Sequence, residues 1–376
     1  MHIAVDATSV TRDRRGIGRY ARAVISRWLR ARDPLRLTLL VPDFFAFAAR
    51  RRLVNALGID DIEVRRQNSL RALQPDLVWY PSNGMTWTSQ RPSVATVHDV
   101  WPFVSPSDDV RTRRREQTAY LTTVAHATAI IANSYFTKSE ISKYLPVSPE
   151  RVHVVHMGVD ADMSLIDARE PLARLPLVLD DVQRYVLFVG EREPRKDLPT
   201  LQAAMGMLPD RVRATTGLVL VGKSVTPVWC GTIETKKAAG REVLLLHFAP
   251  DRSVPTLVAG IVSDALLDRL YRDAAAFAFP SFYEGFGLPV LEAMARGTPV
   301  VASSAASIPE VAGDAALYFP AGDAAALATV LARVLQDEKL ARTLRDAGLA
   351  RAAQLSWDRC AEETLRVFEH VIATNP

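Results

Sequence analysis

Two glutamates on either side of a glycine-rich turn are the residues of this chain best placed to do chemistry. Glu284 and Glu292 lie eight positions apart in the stretch PSFYEGFGLPVLEAMA, residues 280–295. Carboxylates accept hydrogen bonds from hydroxyl groups, so two of them around a phosphate-binding turn suit a ligand with hydroxyls on both sides of its phosphates. A nucleotide sugar is such a ligand. The alternative is a glycine-rich turn whose two glutamates are merely solvated.

The segments around these glutamates predict a strand, a turn and a helix. The apolar run at 275–279 has the length of a buried strand. Pro289 favours the first turn of a helix that continues over 290–296, because its missing N–H would have no intrahelical partner. The first N–H groups of a helix carry a partial positive charge that favours a phosphate. The predicted phosphate donors are the backbone N–H groups of Gly285, Phe286, Gly287 and Leu288.

A basic turn in the middle of the chain supplies cations for the same ligand. The segment GEREPRKDL follows an apolar strand predicted at 185–189, and it places Arg192, Arg195 and Lys196 beyond that strand's carboxyl end. Two cations at this position would neutralise the charge that builds up on a departing diphosphate. The alternative is a basic turn exposed to water.

The first half of the chain also alternates between predicted strands and helices. Gly16 and Gly18 lie between the first strand and the first helix, where glycines allow a close backbone approach to a phosphate. His98 and Asp99 follow a strand predicted at 94–97, at the sheet edge where open α/β folds bind ligands. Without further context, these residues indicate no more than an ordinary loop and a histidine capped by its neighbour.

The wording of these segments resembles a known enzyme family. SFYEGFGLPVLEAMARGTPVVAS resembles the E-x7-E signature of the family 4 retaining glycosyltransferases. It is most similar to the bacterial mannosyl- and rhamnosyltransferases that build O-antigen, capsule and exopolysaccharide. The basic turn, the glycine loop and the His-Asp pair extend the resemblance over nearly the whole chain.

The resemblance implies an α/β protein with the GT-B architecture, two facing Rossmann-like domains. The length of 376 residues, with 48% hydrophobic and 23% charged residues, agrees with two soluble globular domains. The expected parts are an acceptor-binding domain at 1–168, a donor-binding domain at 169–356, and a C-terminal helix at 357–376 that crosses back to the first domain. Residues 165–183 are the predicted linker.

The resemblance also implies roles for single residues. The transferred sugar would be held by His98 and Glu284, and the ribose hydroxyls by Glu292. Lys196 matches the family lysine, and Arg195 is the preferred arginine with Arg192 as the alternative. No protein nucleophile is evident in this type of enzyme, so the leaving phosphate is expected to assist deprotonation of the acceptor. The predicted catalytic residues are His98, Arg195, Lys196 and Glu284; the predicted donor-binding residues are Gly16, Gly18, Arg192, Gly285, Phe286, Gly287, Leu288 and Glu292.

The predicted reaction is retaining transfer of a hexose, with mannose from GDP-mannose as the expected donor, to a lipid-linked or growing glycan. No metal or other cofactor is expected, and Asp160-Ala161-Asp162 is interpreted as the start of the linker although its spacing is found in metal-dependent transferases. An apparent insertion around 247–255 departs from the family pattern in the base-binding region. UDP-glucose, UDP-N-acetylglucosamine and dTDP-rhamnose therefore remain alternative donors.

Two interpretations from other classes compete with this one. A Rossmann-type dehydrogenase would use Gly16-x-Gly18, but it would leave Glu284 and Glu292 unexplained, and Pro42 stands where an acid would be expected after the second strand. A non-catalytic partner that binds nucleotide sugars or lipids would be expected to lose donor-site residues. All of the expected ones are present, which favours an enzyme.

The charge distribution suggests partners. The basic excess lies in the first 168 residues and would suit an anionic membrane surface or a pyrophosphate-bearing acceptor, although a solvated arginine-rich face explains it equally well. Nucleic acid is not expected, since no aromatic-interleaved basic motif is present. Two distant cysteines, no long apolar run and no signal-like N-terminus favour the cytoplasm, with peripheral association at the inner face of the plasma membrane. The arginine clusters are Arg12, Arg14 and Arg15; 50–52; Arg65 and Arg66; and Arg111 with 113–115.

Overall fold

The computed structural model describes residues 1–12, 16–31, 35–42, 46–160, 177–179, 182–223, 232–238, 241–247 and 254–375. The chain divides into two compact units, residues 1–158 with 355–376, and residues 159–354. The predicted boundary between residues 168 and 169 lies outside the described residues, as does Asp162. Most of the predicted linker lies there too, but residues 177–179 form a strand, so the linker prediction is wrong at these positions.

A seven-stranded parallel sheet forms the centre of the first unit. Its strands are β1 (His2–Asp6), β2 (Arg36–Val41), β3 (Glu63–Arg66), β4 (Leu77–Tyr80), β5 (Ser93–Val97), β6 (Ala129–Ala132) and β7 (Val152–Val154). The order β3-β2-β1-β4-β5-β6-β7 proceeds outward in both directions from the neighbouring strands β1 and β4. All four residues of β4 are buried, as expected for a parallel sheet covered by helices on both faces.

The helices of the first unit connect these strands. Tyr20, Val24 and Trp28 form part of the buried stripe of the first long helix, at the spacing that an amphipathic helix requires. The helices are Thr8–Arg12, Gly16–Arg30, Ala46–Leu57, Leu70–Leu73, Trp101–Val104, Val110–His126 and Tyr135–Tyr144, with short 3₁₀ turns at Gln67–Ser69 and Pro149–Arg151.

The C-terminal helix, Trp357–Thr374, packs on the first unit, which confirms the prediction that it crosses back. The indole N–H of Trp28 donates to the carbonyl of Ala361 at 3.2 Å. Gly158 packs against the start of this helix, where a Cβ would lie 2.1 Å from the carbonyl carbon of Ser356. Only glycine fits at that crossing.

The second unit contains a six-stranded parallel sheet of the same type. The described strands of the second unit, of which six form this sheet, are β8 (Leu177–Leu179), β9 (Arg184–Val189), β10 (Thr216–Val221), β11 (Thr232–Ala238), β12 (Arg241–His247), β13 (Thr256–Gly260), β14 (Ala276–Phe279), β15 (Val300–Ser303) and β16 (Ala316–Phe319). The main sheet has the order β13-β10-β9-β14-β15-β16, so the strand order reverses at β9 and β14. The prediction of two Rossmann-like domains is confirmed.

Helices on the second sheet bury its apolar side chains. Val186, Phe188, Leu218 and Leu220 alternate along β9 and β10 and join one hydrophobic cluster with residues of the flanking helices. The helices are Leu198–Gly206, Asp210–Arg213, Asp264–Asp273, Leu288–Ala295, Ile308–Ala312, Ala324–Gln336 and Glu338–Gln354, with 3₁₀ turns at Pro194–Lys196 and Gly313–Ala315.

A third, three-stranded sheet was not predicted. β11 and β12 form an antiparallel hairpin in which Thr232 faces His247, and β8 pairs with β12 in parallel. The departure from the family pattern was expected around 247–255, whereas these described strands occupy 232–247. Residues 248–253 lie outside the described part of the chain.

Candidate functional site

The turns that leave β9 and β14 meet at the carboxyl edge of the second sheet. β9 and β14 are the neighbouring parallel strands at which the strand order reverses. The loops that follow such a pair diverge and open a crevice, which is where doubly wound sheets bind ligands. The backbone links the two turns directly, because the N–H of Phe282 donates to the carbonyl of Arg195 at 3.0 Å. Residues that are far apart in sequence therefore form one site.

A buried ion pair joins two predicted catalytic residues in this site. The Nζ atom of Lys196 lies 2.5 Å from Oε1 of Glu284, and the two residues are only 9% and 6% exposed. Nη1 of Arg195 lies 3.5 Å from Oε2 of the same carboxylate. The Lys196 ammonium also lies 5.2 Å from the centre of the Phe279 ring. Two cations thus share one carboxylate in a setting where water screens their charges poorly.

The shape of the basic turn explains which arginine reaches the carboxylate. Residues Pro194–Lys196 form one 3₁₀ turn, and Asp197 follows with a left-handed φ of 48°. The side chain of Arg195 is held by Glu193, whose Oε2 lies 2.6 Å from Nε. Arg192 is exposed, and no carboxylate of the described residues lies within ion-pair distance of it. The structure brings Arg195 to Glu284 and leaves Arg192 on the surface.

The glycine-rich turn after β14 leads into the helix Leu288–Ala295, whose first turn contains Pro289 as predicted. Gly287 precedes the helix with a φ of 92°, a conformation that favours glycine. The Ser307 hydroxyl donates to the carbonyl of Glu284 at 2.8 Å and fixes the turn from the other side. The other predicted donor-binding residues of the turn, Gly285, Phe286 and Leu288, are buried.

Glu292 lies in the second turn of that helix and is 5% exposed. Its Oε2 accepts a hydrogen bond from the hydroxyl of Tyr271 at 3.1 Å. Its backbone carbonyl accepts one from Nη1 of Arg296 at 3.2 Å. Tyr271 was not predicted, because a single tyrosine near a helix end forms no motif with a glutamate 21 positions later.

His98 follows β5 at the carboxyl edge of the first sheet and is 5% exposed. Its Nε2 lies 2.9 Å from the carbonyl oxygen of Pro81. A carbonyl only accepts, so Nε2 carries a proton and donates it to Pro81. Two asparagines hold the backbone of His98: Asn83 accepts from its N–H at 2.5 Å, and Asn133 donates to its carbonyl at 3.0 Å. Neither asparagine was predicted.

The helix Gly16–Arg30 contacts the His98 ring through its Tyr20 side chain. The ring of Tyr20 packs edge-on against His98 with 4.9 Å between ring centres. Burial raises the pKa of Tyr20 far above its ordinary value, so its hydroxyl stays protonated. Gly18 is buried, whereas a Cβ at Gly16 would meet no described atom within 4 Å.

Two negative findings apply to the described part of the chain. It holds no group of three or more His, Cys, Asp or Glu side chains arranged to bind a metal ion. None of its helices combines the length and the apolar character that crossing a bilayer requires.

The second unit thus has a doubly wound sheet with a cluster of charged side chains at its switch point, where sheets of this type bind ligands. Comparisons with known proteins define the class further. The family described as "Glycosyltransferase Family 4" matches residues 16–163, and the family described as "Glycosyl transferases group 1" matches residues 173–351.

Similar proteins agree with these matches. The O-antigen chain mannosyltransferase B of Escherichia coli is 32% identical over 74% of this chain and 70% of its own length. The MMP alpha-(1->4)-mannosyltransferase of Mycolicibacterium hassiacum is 34% identical over 70% of this chain and 57% of its own length. The solved structure of sucrose-phosphate synthase from Thermosynechococcus elongatus superposes with a TM-score of 0.68 at 19% identity, covering 100% of both chains.

The protein belongs to the group 1 and family 4 glycosyltransferases and has their GT-B fold. This confirms the family that the sequence analysis identified from Glu284, Glu292 and the segments around them.

Proposed function

We propose that this glycosyltransferase transfers mannose from GDP-mannose to a hydroxyl group of a lipid-linked or growing cell-surface glycan. Two similar proteins are named as mannosyltransferases, which supports the choice of sugar. The observation that carries the proposal is the cluster of Arg195, Lys196 and Glu284 at the switch point between β9 and β14. Two cations directed at one anionic group are what a diphosphate leaving group requires.

Departure of the nucleoside diphosphate is the step that this cluster would assist. The bond between the anomeric carbon and the β-phosphate oxygen breaks, and negative charge accumulates on the phosphate. Lys196 and Arg195 would neutralise that charge, and the N-terminus of the helix Leu288–Ala295 would add its partial positive charge. No metal or other cofactor is proposed, since these groups supply the positive charge themselves.

The remaining residues would hold the donor. Glu284 would accept hydrogen bonds from the hydroxyls of the sugar as Lys196 and Arg195 turn toward the diphosphate. Glu292 would accept hydrogen bonds from the ribose hydroxyls, since its buried carboxylate lies within the helix that follows the phosphate turn. His98 would contact the transferred sugar through its imidazole ring.

Retention at the anomeric carbon is part of the proposal. The acceptor hydroxyl would attack the same face from which the diphosphate departs, forming the new glycosidic bond. Its proton would pass to the phosphate oxygen that has just been released. This route needs no protein nucleophile, and the protein contributes by positioning the donor and stabilising charge.

Thermal unfolding with a panel of donors tests the proposed ligand. GDP-mannose, UDP-glucose, UDP-N-acetylglucosamine and dTDP-rhamnose would each be compared with the free nucleotides, because a ligand raises the midpoint according to its affinity. GDP-mannose is expected to give the largest shift. A larger shift with a uridine or thymidine donor would mean that this nucleotide sugar, and not GDP-mannose, is the donor. No shift with any of them would refute the proposed function.

Matched lysine variants test the proposed phosphate contact. Lys196→Ala should abolish transfer and sharply weaken donor binding. Lys339→Ala removes an exposed lysine of the same unit and should change neither. Undiminished transfer by the Lys196 variant would contradict the assignment.

We further propose that the acceptor is reached at an anionic membrane surface on the cytoplasmic side. The helix Val110–His126 presents Arg111, Arg114 and Arg115 to solvent. None of the three has a carboxylate within ion-pair distance in the described part of the chain. Val110 and Leu121 on the same helix are 63% and 49% exposed. Exposed arginines on the same helix as exposed apolar side chains suit an interface of anionic headgroups.

Vesicle sedimentation tests this surface. Each basic residue near an anionic membrane contributes about 1 kcal/mol, so replacing Arg111, Arg114 and Arg115 with alanine should weaken binding to phosphatidylglycerol vesicles on the order of 100-fold. A triple alanine variant at 50–52, where Arg50 donates to the carbonyl of Asp60, is the control. Equal losses in both variants would contradict the proposed surface.

A further inference from the structure

Tyr271 combines complete burial with a hydrogen bond to a predicted donor-binding carboxylate. It lies in the last turn of the helix Asp264–Asp273 and is 1% exposed. Its hydroxyl donates to Oε2 of Glu292 at 3.1 Å. Removing a carboxylate from water is costly unless hydrogen bonds replace those of the solvent. The tyrosine hydroxyl supplies one of these replacements.

The surroundings of Tyr271 fix the position of its hydroxyl. Its ring packs against Phe277 with 5.5 Å between ring centres, and the guanidinium carbon of Arg296 lies 5.8 Å from the centre of the tyrosine ring. Its backbone carbonyl accepts a hydrogen bond from the Thr298 hydroxyl at 2.6 Å. A side chain confined in this way holds its hydroxyl in one place, which in turn restrains the group that receives its hydrogen bond.

Arg296, which follows the helix of Glu292, connects it to the helix of Tyr271. Its Nε lies 3.0 Å from Oδ1 of Asp268, and its Nη1 donates to the backbone carbonyl of Glu292. The ion pair with Asp268 therefore joins the helix that carries Tyr271 to the end of the helix that carries Glu292, whereas the bond to the Glu292 carbonyl lies within one segment. Rotation of the Glu292 carboxylate would break the tyrosine contact.

We propose that Tyr271 is a positioning residue that orients the Glu292 carboxylate toward the ribose hydroxyls of the donor nucleotide. This inference rests on the proposed function, in which Glu292 binds the ribose. A carboxylate has about four acceptor positions, and a donor fixed at Oε2 determines where the others point. Because the Glu292 carboxylate is already oriented, less conformational entropy is lost when the nucleotide binds. Tyr271 thereby sets nucleotide affinity without touching the ligand.

A matched pair of tyrosine variants tests the role. Tyr271→Phe removes only the hydroxyl that reaches Glu292. Tyr185→Phe removes another buried hydroxyl of the same unit, which donates to the carbonyl of Leu270 at 2.8 Å, one residue before Tyr271. Titration calorimetry would compare GDP with 2′,3′-dideoxy-GDP for both variants and the wild type. If the donor panel selects uridine, the corresponding UDP pair would be used.

The expected result is a loss that depends on the ribose hydroxyls. Tyr271→Phe should bind GDP roughly tenfold more weakly than the wild type, the effect of one hydrogen bond to a charged group. It should bind the dideoxy nucleotide as well as the wild type does. Tyr185→Phe should bind both nucleotides normally. Equal losses of Tyr271→Phe for both nucleotides, or no loss for either, would overturn the inference.

Glu292→Gln separates failure of this inference from failure of the proposed function. If Glu292→Gln shows a ribose-dependent loss and Tyr271→Phe does not, the positioning role of Tyr271 is wrong but the ribose site stands. If Glu292→Gln shows no ribose-dependent loss, the proposed ribose site itself is wrong, and the role of Tyr271 is refuted with it.

Discussion

Breaking the buried pair of Lys196 and Glu284 should destabilise the second unit. Lys196→Met keeps most of the side-chain volume but leaves the Glu284 carboxylate with Arg195 as its remaining cation, at 3.5 Å. Both members of the pair are less than one-tenth exposed, so solvent cannot replace the lost ammonium. The carboxylate then carries the cost of burial with weaker compensation.

The burial of the pair sets the size of the expected effect. Removing one partner of a buried ion pair costs about 3–5 kcal/mol, and the nearby Arg195 places this case at the lower end, about 3 kcal/mol. For a unit of this size, each kcal/mol lowers the midpoint by roughly 2–4 °C. Lys196→Met should therefore lower the thermal midpoint of the second unit by about 6–12 °C.

A double variant separates the contribution of the pair to stability from its contribution to function. Replacing a whole buried ion pair with apolar residues is often neutral or stabilising, so Lys196→Met with Glu284→Leu should recover most of the lost midpoint. Neither variant should transfer sugar. Scanning calorimetry would follow unfolding, and Lys339→Met would control for the loss of an exposed lysine, which should change stability by less than about 0.5 kcal/mol.

Two outcomes would refute this reasoning. A midpoint for Lys196→Met equal to that of Lys339→Met would mean that the pair is solvated in solution. A double variant less stable than Lys196→Met would mean that the pair itself stabilises the fold, rather than being retained for binding the donor.

Two further predictions concern other parts of the chain. Gly222→Ala should destabilise the second unit by about 3 kcal/mol or more in thermal unfolding. At the observed φ of 146°, the new Cβ would lie 2.0 Å from the Gly190 carbonyl oxygen. Gly206→Ala is the control and should not destabilise the unit, since no described atom lies within 4 Å of its Cβ position. Burial and the neighbouring His370 lower the pKa of His153 below 6.5. Its contribution to stability should be present above about pH 6.5 and lost as the pH falls through the lower folded value. When the pH is lowered from 7.5 to 5.5, the thermal midpoint of His153→Gln should therefore fall by less than that of the wild type. An equal fall would contradict this prediction.

The main elements of the fold were predictable because buried parallel strands consist of consecutive apolar residues. The run at 77–80 predicted β4 at its observed bounds, and the run at 275–279 predicted β14 to within one residue. The third sheet was missed because β11 reads TIETKKA, in which polar residues outnumber apolar ones. Its pairing with β12 and β8 depends on contacts that a local pattern does not encode.

Site residues in motifs were predicted, and residues that support them from elsewhere were not. Lys196 and Glu284 each belong to a recognisable turn, but their direct contact depends on β9 and β14 being neighbours in the sheet. Asn83 and Asn133 reach His98 from the loops after two other strands. Tyr271 reaches Glu292 from the preceding helix. Such contacts arise from packing, which local sequence does not specify.

The anomer of mannose released from GDP-mannose shows whether the enzyme retains configuration with the help of Lys196. Slow donor hydrolysis needs no acceptor other than water, and proton NMR distinguishes the two anomers before they equilibrate. We expect α-mannose to appear first and Lys196→Ala to release none. Initial release of β-mannose, or release by Lys196→Ala at the wild-type rate, would contradict it.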